Sequence, residues 1–145
     1  MKNELFILQS LTLASIIFVL SFLGNVYLHE FGHYAAADLL GLHPEIYMEP
    51  VTKDTFSLTL QSESLAYTEF DNTSSKKELI FVAIVGPLVN LLLTLIFLII
   101  YLDYKHKPQI QVFAIAGLIP SILSFVINVL PYATTDGMMI VRALF

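Results

Sequence analysis

The chain contains no cysteine and no tryptophan, and only 13% of its 145 residues are charged. Without cysteine there can be no disulfide framework, no thiolate nucleophile and no cysteine-ligated metal, so any metal site must use histidine and carboxylate ligands. Seven lysines and arginines that form no cluster, together with a net charge of −5, leave no basic surface for a nucleic acid. Nucleic acid is therefore set aside as a partner, and the redox compartment stays open.

Long apolar runs make up most of the chain. Hydrophobic residues account for 57% of it and the mean hydropathy is +0.77, as is typical of an integral membrane protein. Three runs reach the roughly 20 residues that cross a bilayer. We predict an all-α membrane protein in which residues 1–145 form a single membrane-embedded domain. Its helices are expected at about 5–41, 79–102 and 110–130, followed by a short C-terminal helix at about 137–145.

The loop between the first two predicted helices is polar and acidic. Residues 55–61 alternate apolar and polar side chains with a period of two, as a half-buried strand does. Residues 65–70 can form a second strand after a turn at 62–64. The pattern predicts a small β-hairpin over about 55–70 at the membrane surface.

The segment His29-Glu30-Phe31-Gly32-His33 lies inside the first apolar run. Residues four apart share a helix face, so both imidazoles can bind one metal ion while Glu30, about 100° around the helix, reaches a water molecule beside it. A chain of this composition should contain this pattern by chance only about 0.005 times. The alternative is that the histidines only hydrogen-bond between helices. An ionisable glutamate between them, however, is costly in a membrane and indicates function.

A catalytic zinc site usually has three protein ligands, so the histidine pair needs another from elsewhere. Asp136 follows the third predicted helix, which travels back toward the loop side of the membrane, where His33 and Gly86 both lie at a depth of about 12 Å. We predict Asp136 as the third ligand. The alternatives are that Asp136 caps the short terminal helix, and that Asp38, more than a turn beyond His33, is the carboxylate at the site. Asp38 is better explained as an interfacial side chain near the helix end.

Two asparagines lie within membrane helices, where an amide is expensive unless it is paired. Asn90 follows Gly86-Pro87 in the second helix, where a kink is expected, and Asn128 precedes Pro131. Both are candidates for binding the substrate by donating hydrogen bonds to its carbonyl. Hydrogen bonding between helices is an equally good explanation. Gly86 is expected to serve close helix packing only.

These motifs together resemble a known family. The histidine motif with Gly41 downstream, Gly86-Pro87-x-x-Asn90, and Asn128-x-x-Pro131-x-x-x-x-Asp136-Gly137 are similar in order and placement to the site-2 protease family of intramembrane zinc metalloproteases, which is M50-like. The resemblance covers nearly all of the chain and implies a three-helix metalloprotease core. It implies one zinc ion held by His29, His33 and Asp136, with Glu30 as general base. It also implies cleavage of a transmembrane or signal-like substrate helix, in a cell membrane with the active-site end facing the cytoplasm.

Two other functions are compatible with the motifs. A catalytically silent zinc-binding membrane protein, acting as a sensor or regulatory partner, would use the same ligands but would have no need of Glu30 as a base. A transporter or channel subunit would line an ion path with these side chains, yet three spans without duplicated halves argue against it. Membrane lipid and a membrane-spanning substrate are the expected partners. Three helices form a thin wall around a hydrated metal, which favours a homo-oligomer.

Overall fold

The computed structural model describes residues 2–48, 66–71, 75–132 and 134–145. Within these ranges the elements are, in chain order, α1 (Lys2–Leu39), β1 (Glu45–Met48), β2 (Ala66–Glu69), α2 (Lys76–Asp103), α3 (Pro108–Val129) and α4 (Asp136–Leu144). Three helices are long and apolar enough to cross a membrane: Leu11–Leu39 of α1, all of α2 and all of α3. The predicted all-α membrane fold with a small hairpin between the first two helices is confirmed.

Helix α1 is continuous over 38 residues and does not break near Gly24. At about 1.5 Å per residue it is roughly 57 Å long, which exceeds a hydrocarbon core of about 30 Å. It ends at Leu39, and the chain turns at Gly41, whose φ of +71° is the left-handed conformation that glycine adopts without strain. The Leu42 N–H donates to the Ala37 carbonyl across this turn at 3.0 Å, in a Schellman arrangement. The chain therefore leaves the helix about two turns after the histidine motif.

Strands β1 and β2 form a two-stranded antiparallel sheet in which Glu45 lies opposite Glu69. The predicted strand at 65–70 overlaps β2. Its predicted partner at 55–61 lies outside the described residues. Pairing of β2 with β1 was not predicted, because four residues directly after a helix end carry too weak an alternation to identify. The hairpin packs against α1 and brings β2 beside the histidine motif.

Small residues allow the three long helices to pack closely against one another. Ala36 and Ala37 of α1 form the core with Val82 of α2. A Cβ on Gly32 would lie only 3.2 Å from the Gly86 Cα, so the two helix backbones nearly touch. In lipid, helices associate through such close van der Waals contact rather than through a hydrophobic driving force.

Large apolar side chains cover the outside of this helix bundle. Leu92 on α2 and Ile127 on α3 are each 57% exposed, and many other leucines, isoleucines and valines are similarly exposed. An apolar surface this extensive is a liability in water but suits contact with lipid chains. The polar residues His29, His33, Asn90 and Asp136 are instead buried. The bundle is thus apolar outside, with these four polar side chains buried inside it.

Candidate metal centre

His29 and His33 lie one turn apart on α1, and both are buried. Their Nε2 atoms are 3.1 Å apart and their rings are nearly perpendicular, at 88°. Gly86 on α2 provides the space for both rings, since a Cβ there would lie 2.3 Å from the His33 Nε2 and 2.8 Å from the His29 Cε1. Any other residue at Gly86 would therefore displace the imidazoles.

Asp136 joins the histidine pair from the first turn of α4. Its Oδ2 lies 3.1 Å from the His29 Nε2, and its Oδ1 lies 3.2 Å from the His33 Nε2. Thr135 is the N-cap of α4 and accepts a hydrogen bond from the Met138 N–H. The alternative that Asp136 serves as the cap is therefore wrong, and its carboxylate is available to face the imidazoles.

Gly137 sets the position of Asp136. A Cβ on Gly137 would lie 2.2 Å from the Val129 carbonyl oxygen and 2.8 Å from the Leu130 carbonyl carbon. These are backbone atoms at the end of α3 and cannot swing aside as a flexible side chain can. Only glycine lets α4 turn back this closely onto α3.

The three side chains offer a donor set that suits a divalent metal. One ligand atom from each of His29, His33 and Asp136 lies within 4.8 Å of the others. Burial raises the pKa of the Asp136 carboxyl, but its contacts with the two imidazoles outweigh burial and leave the pKa below its ordinary value. The Asp136 Oδ2 is buried and, among the described residues, has no hydrogen-bond partner despite its closeness to His29. Two imidazoles and an ionised carboxylate with an unsatisfied oxygen fit a bound cation.

Glu30 lies beside this group and is held by the hairpin. The Thr68 hydroxyl on β2 is 2.9 Å from the Glu30 Oε2 and 3.0 Å from the Glu30 backbone carbonyl oxygen. Glu30 is only 8% exposed and, with both histidines and Asp136, lines a cavity of about 260 Å³. Glu30 therefore lies in the same cavity as the three candidate metal ligands.

Comparison with protein-family models places the chain in a known family. The model of peptidase family M50 matches residues 17–108, which is more than half of the chain. The chain belongs to peptidase family M50. The predicted resemblance to the site-2 protease family is thereby confirmed. Comparison with curated proteins and with solved structures gave no match.

The M50 match covers only part of the candidate metal centre. It includes His29, Glu30, His33 and Asn90, whereas Asp136 lies beyond residue 108. M50 proteins are metallopeptidases, and the three apolar helices make this member an integral membrane protein. The inclusion of Asp136 in the site rests on the tertiary structure, which brings α4 to the histidines.

The two asparagines have different surroundings in this M50 peptidase. Asn128 lines the 260 Å³ cavity together with Glu30 and can face a substrate there. Asn90 has no exposed surface and lies behind the His29 ring, with its Nδ2 2.9 Å from the His29 Nδ1. Contact with a substrate, predicted for both, therefore fits the position of Asn128 and does not fit that of Asn90. Asp38 is exposed and is not part of the metal-ligand group.

Two residues of the site were not predicted in their roles. Gly86 was expected to serve helix packing only, yet it also lies against both imidazoles. Its position at the same predicted depth as His33 was a signal that could have indicated this contact. Thr68 lies on β2, in a stretch of sequence without a motif, and its hydrogen bonding to Glu30 follows from the folding of the hairpin onto α1.

Proposed function

We propose that this M50 peptidase is an intramembrane zinc endopeptidase that hydrolyses peptide bonds in transmembrane or signal-like substrate helices. The observation that carries the proposal is the buried group of His29, His33 and Asp136, with Glu30 beside it, at one end of three membrane-length helices. Family membership supports a peptidase, and the burial of the site among these helices supports proteolysis within the membrane.

His29, His33 and Asp136 would hold one zinc ion. Two imidazoles and one carboxylate leave a coordination position open, as catalytic zinc sites require. When bound, zinc supplies Lewis acidity to the scissile carbonyl and to the attacking water. The buried Asp136 oxygen that has no hydrogen-bond partner among the described residues supports a cation at this position.

Glu30 acts as the general base. It takes a proton from the attacking water and returns this proton to the amine that leaves when the peptide bond breaks. The Thr68 hydroxyl, at 2.9 Å from the Glu30 Oε2, orients the carboxylate for both transfers. Asn128 lines the same cavity, and its amide can donate a hydrogen bond to the substrate backbone.

A second cavity supports a substrate that arrives from the lipid. It has a volume of about 460 Å³, lies between α1 and α3, and reaches His29 and Glu30 from the outer surface of the bundle. Its outer part is apolar and exposed, with Phe22 on α1 at 40% and Ile127 on α3 at 57%. Such a surface matches a hydrophobic helix in the bilayer better than a soluble peptide.

The substrate helix must unwind locally before hydrolysis, because its carbonyls are otherwise hydrogen-bonded internally. Each unpaired peptide group in lipid costs several kcal/mol. Strand β2 borders both cavities, through Ala66 in one and Thr68 in the other. We propose that the hairpin pairs with the extended segment of the substrate, as the edge strands of sheets do with bound peptides.

The test is cleavage of membrane-spanning substrates by the protein reconstituted in lipid vesicles. We expect wild type to cleave at least one of a panel of such substrates. Glu30→Gln should lose cleavage and keep stoichiometric zinc. Asp38→Asn, an exposed carboxylate on the same helix, is the matched control and should keep both.

Two results would contradict the proposal. Cleavage that persists in Glu30→Gln would remove Glu30 from the chemistry. Wild-type protein that binds zinc but cleaves nothing in a broad panel would favour the silent zinc-binding protein over a protease. Zinc content is measured on every sample, so loss of metal and loss of catalysis are distinguished.

We further propose that the protein lies in a cell membrane with the active-site end toward the cytoplasm. The absence of cysteine makes this directly testable. A single cysteine at exposed Asp71, on the hairpin side, should react with a membrane-impermeant thiol reagent only after cells are opened. A cysteine at exposed Lys107, between α2 and α3, should react in intact cells. The reverse labelling pattern would overturn the orientation.

A further inference from the structure

Asn90 is completely buried and its carboxamide contacts one of the proposed metal ligands. The Nδ2 is 2.9 Å from the His29 Nδ1 and 2.8 Å from the Ser124 Oγ, while the Oδ1 has no hydrogen-bond partner among the described residues. One terminal atom of the Asn90 amide thus has two polar contacts, and the other has none. Packing therefore favours an amide orientation that keeps one of its two terminal atoms beside His29 and Ser124. The chemistry of His29 determines whether this atom is nitrogen or oxygen.

A neutral imidazole carries its proton on only one of its two nitrogens. If the Asn90 Nδ2 donates to the His29 Nδ1, the His29 proton must lie on Nε2, where it faces the Asp136 Oδ2 at 3.1 Å. A proton on the His29 Nε2 is compatible only with the protein without metal. A metal bound at Nε2 requires the lone pair there, so the proton must lie on Nδ1, and Nδ1 then needs an acceptor.

Asn90 can supply this acceptor by exchanging the positions of its two terminal atoms. A half-turn about the last side-chain bond places oxygen where nitrogen was and changes the shape of the side chain very little. The Oδ1 then accepts from the His29 Nδ1–H and from the Ser124 hydroxyl. A hydroxyl can donate or accept, so Ser124 accommodates both orientations.

His33 differs from His29 in this respect. Its Nδ1 lies 2.8 Å from the Val82 carbonyl oxygen, which can only accept, so the Nδ1 of a neutral His33 carries the proton in either state. The lone pair of His33 Nε2 is therefore set by the backbone. The lone pair of the His29 Nε2 instead depends on the orientation of the Asn90 amide, which can turn over.

The Ser124 hydroxyl extends these contacts to the substrate cavity. The Asn128 Nδ2 donates to the Ser124 Oγ at 3.5 Å, and Asn128 lines both cavities. With the oxygen of Asn90 turned toward Ser124, Asn128 donates to Ser124 and Ser124 donates to Asn90. The metal-bound orientation thus forms a continuous hydrogen-bonded chain from the cavity wall to the His29 ring.

We infer that Asn90 is a positioning residue whose side-chain oxygen accepts the His29 Nδ1–H and so fixes the ring form that binds the metal, and that its amide turns over when the metal leaves. The inference rests on the proposed metal site, and it assigns Asn90 to His29 rather than to the substrate. Ser124 acts through Asn90 in the same way.

The test compares substitutions that keep or remove the acceptor. Asn90→Asp retains oxygen in the same place and should keep zinc affinity within about threefold of wild type. Asn90→Leu has a similar size but no acceptor, and should weaken zinc binding by about 10- to 100-fold, the usual effect of losing a partner of a metal-bound histidine. Thr94→Val, which removes a hydroxyl one turn further along α2, is the matched control and should bind zinc as wild type does.

Zinc affinity is measured by chelator competition on the full chain in detergent, and the visible spectrum of the cobalt-substituted protein reports the ligand set. We expect the wild-type spectrum in Asn90→Asp and an altered or absent one in Asn90→Leu. A contrary result is that both Asn90→Asp and Asn90→Leu unfold at the wild-type temperature and yet lose zinc affinity equally. That result would mean that Asn90 donates to His29, and it would overturn the inference. Wild-type affinity in Asn90→Leu would also overturn it. Failure of the wild-type chain to bind zinc would instead refute the proposed function.

Discussion

Replacing Gly86 by alanine tests the geometry of the metal centre with a single methyl group. The added Cβ would lie 2.3 Å from the His33 Nε2 and 2.8 Å from the His29 Cε1, whereas ordinary contact begins at 3.4 Å. The His33 ring must therefore move by about 1 Å. Zinc–imidazole bonds are close to 2.0–2.1 Å and tolerate deviations of about 0.2 Å, so this displacement is roughly five times what the bond allows.

The His33 ring cannot move away from the methyl group without losing contacts on both sides. The His33 Nδ1 is tied to the Val82 carbonyl at 2.8 Å on one side, and His29 lies against its Nε2 on the other. We expect Gly86→Ala to lose one zinc ligand and at least about 100-fold in zinc affinity, equivalent to about 3 kcal/mol. Proteolysis should fall with the bound zinc.

Gly24→Ala is the control, since a Cβ on Gly24 would have no atom within 4 Å. Alanine is favoured over glycine inside a helix by up to about 1 kcal/mol, so this variant should bind zinc normally and be slightly more stable. Zinc content after purification, chelator competition and the thermal unfolding midpoint are measured on both variants. A Gly86→Ala protein with wild-type zinc affinity would refute the placement of the imidazoles against α2.

Three further substitutions probe the rest of the site. Gly137→Ala places a Cβ 2.2 Å from the Val129 carbonyl oxygen, so it should lower the thermal midpoint and the zinc content together; an unchanged midpoint would contradict the tight turn into α4. Thr68→Val removes the hydrogen bonds to Glu30 and should reduce kcat about tenfold with zinc affinity unchanged, measured by vesicle cleavage; an unaltered kcat would exclude Thr68 from positioning the base. Asp136→Asn removes the charged ligand and should abolish stoichiometric zinc in metal analysis, whereas retained zinc would show that another group completes the site.

The histidine motif could be identified from the sequence because its chemistry is local. A spacing of four residues on a helix places His29 and His33 on one face whatever surrounds them, and the helix itself follows from an apolar run of sufficient length. The closeness of Asp136 to these histidines could also be predicted, because the direction of a membrane helix fixes the end at which its polar residues emerge. In a membrane protein, polar residues on different helices can meet only if they lie at the same depth in the bilayer, and this depth can be read from the sequence.

The partners of these residues could not be identified in the same way. Asn90 was a candidate for substrate contact, with hydrogen bonding between helices as an equally good explanation, because an amide inside a membrane helix shows that a hydrogen bond exists but not what it joins. Whether Asn90 faces the cavity or His29 depends on the rotation of α2 about its axis, which the packing of Gly32 against Gly86 decides. The strand that pairs with β2 likewise depends on where α1 ends and how the chain turns at Gly41.

The sequence alone determined the membrane class, the three spanning helices and the types of side chain that a metal could use, since these depend on hydropathy, length, composition and helical periodicity. Only the tertiary structure decided that Gly86 makes room for the imidazoles, that Asn90 stands behind His29 and that Thr68 holds Glu30. These contacts join residues on different elements, and their distances follow from how the helices and hairpin pack rather than from any local pattern.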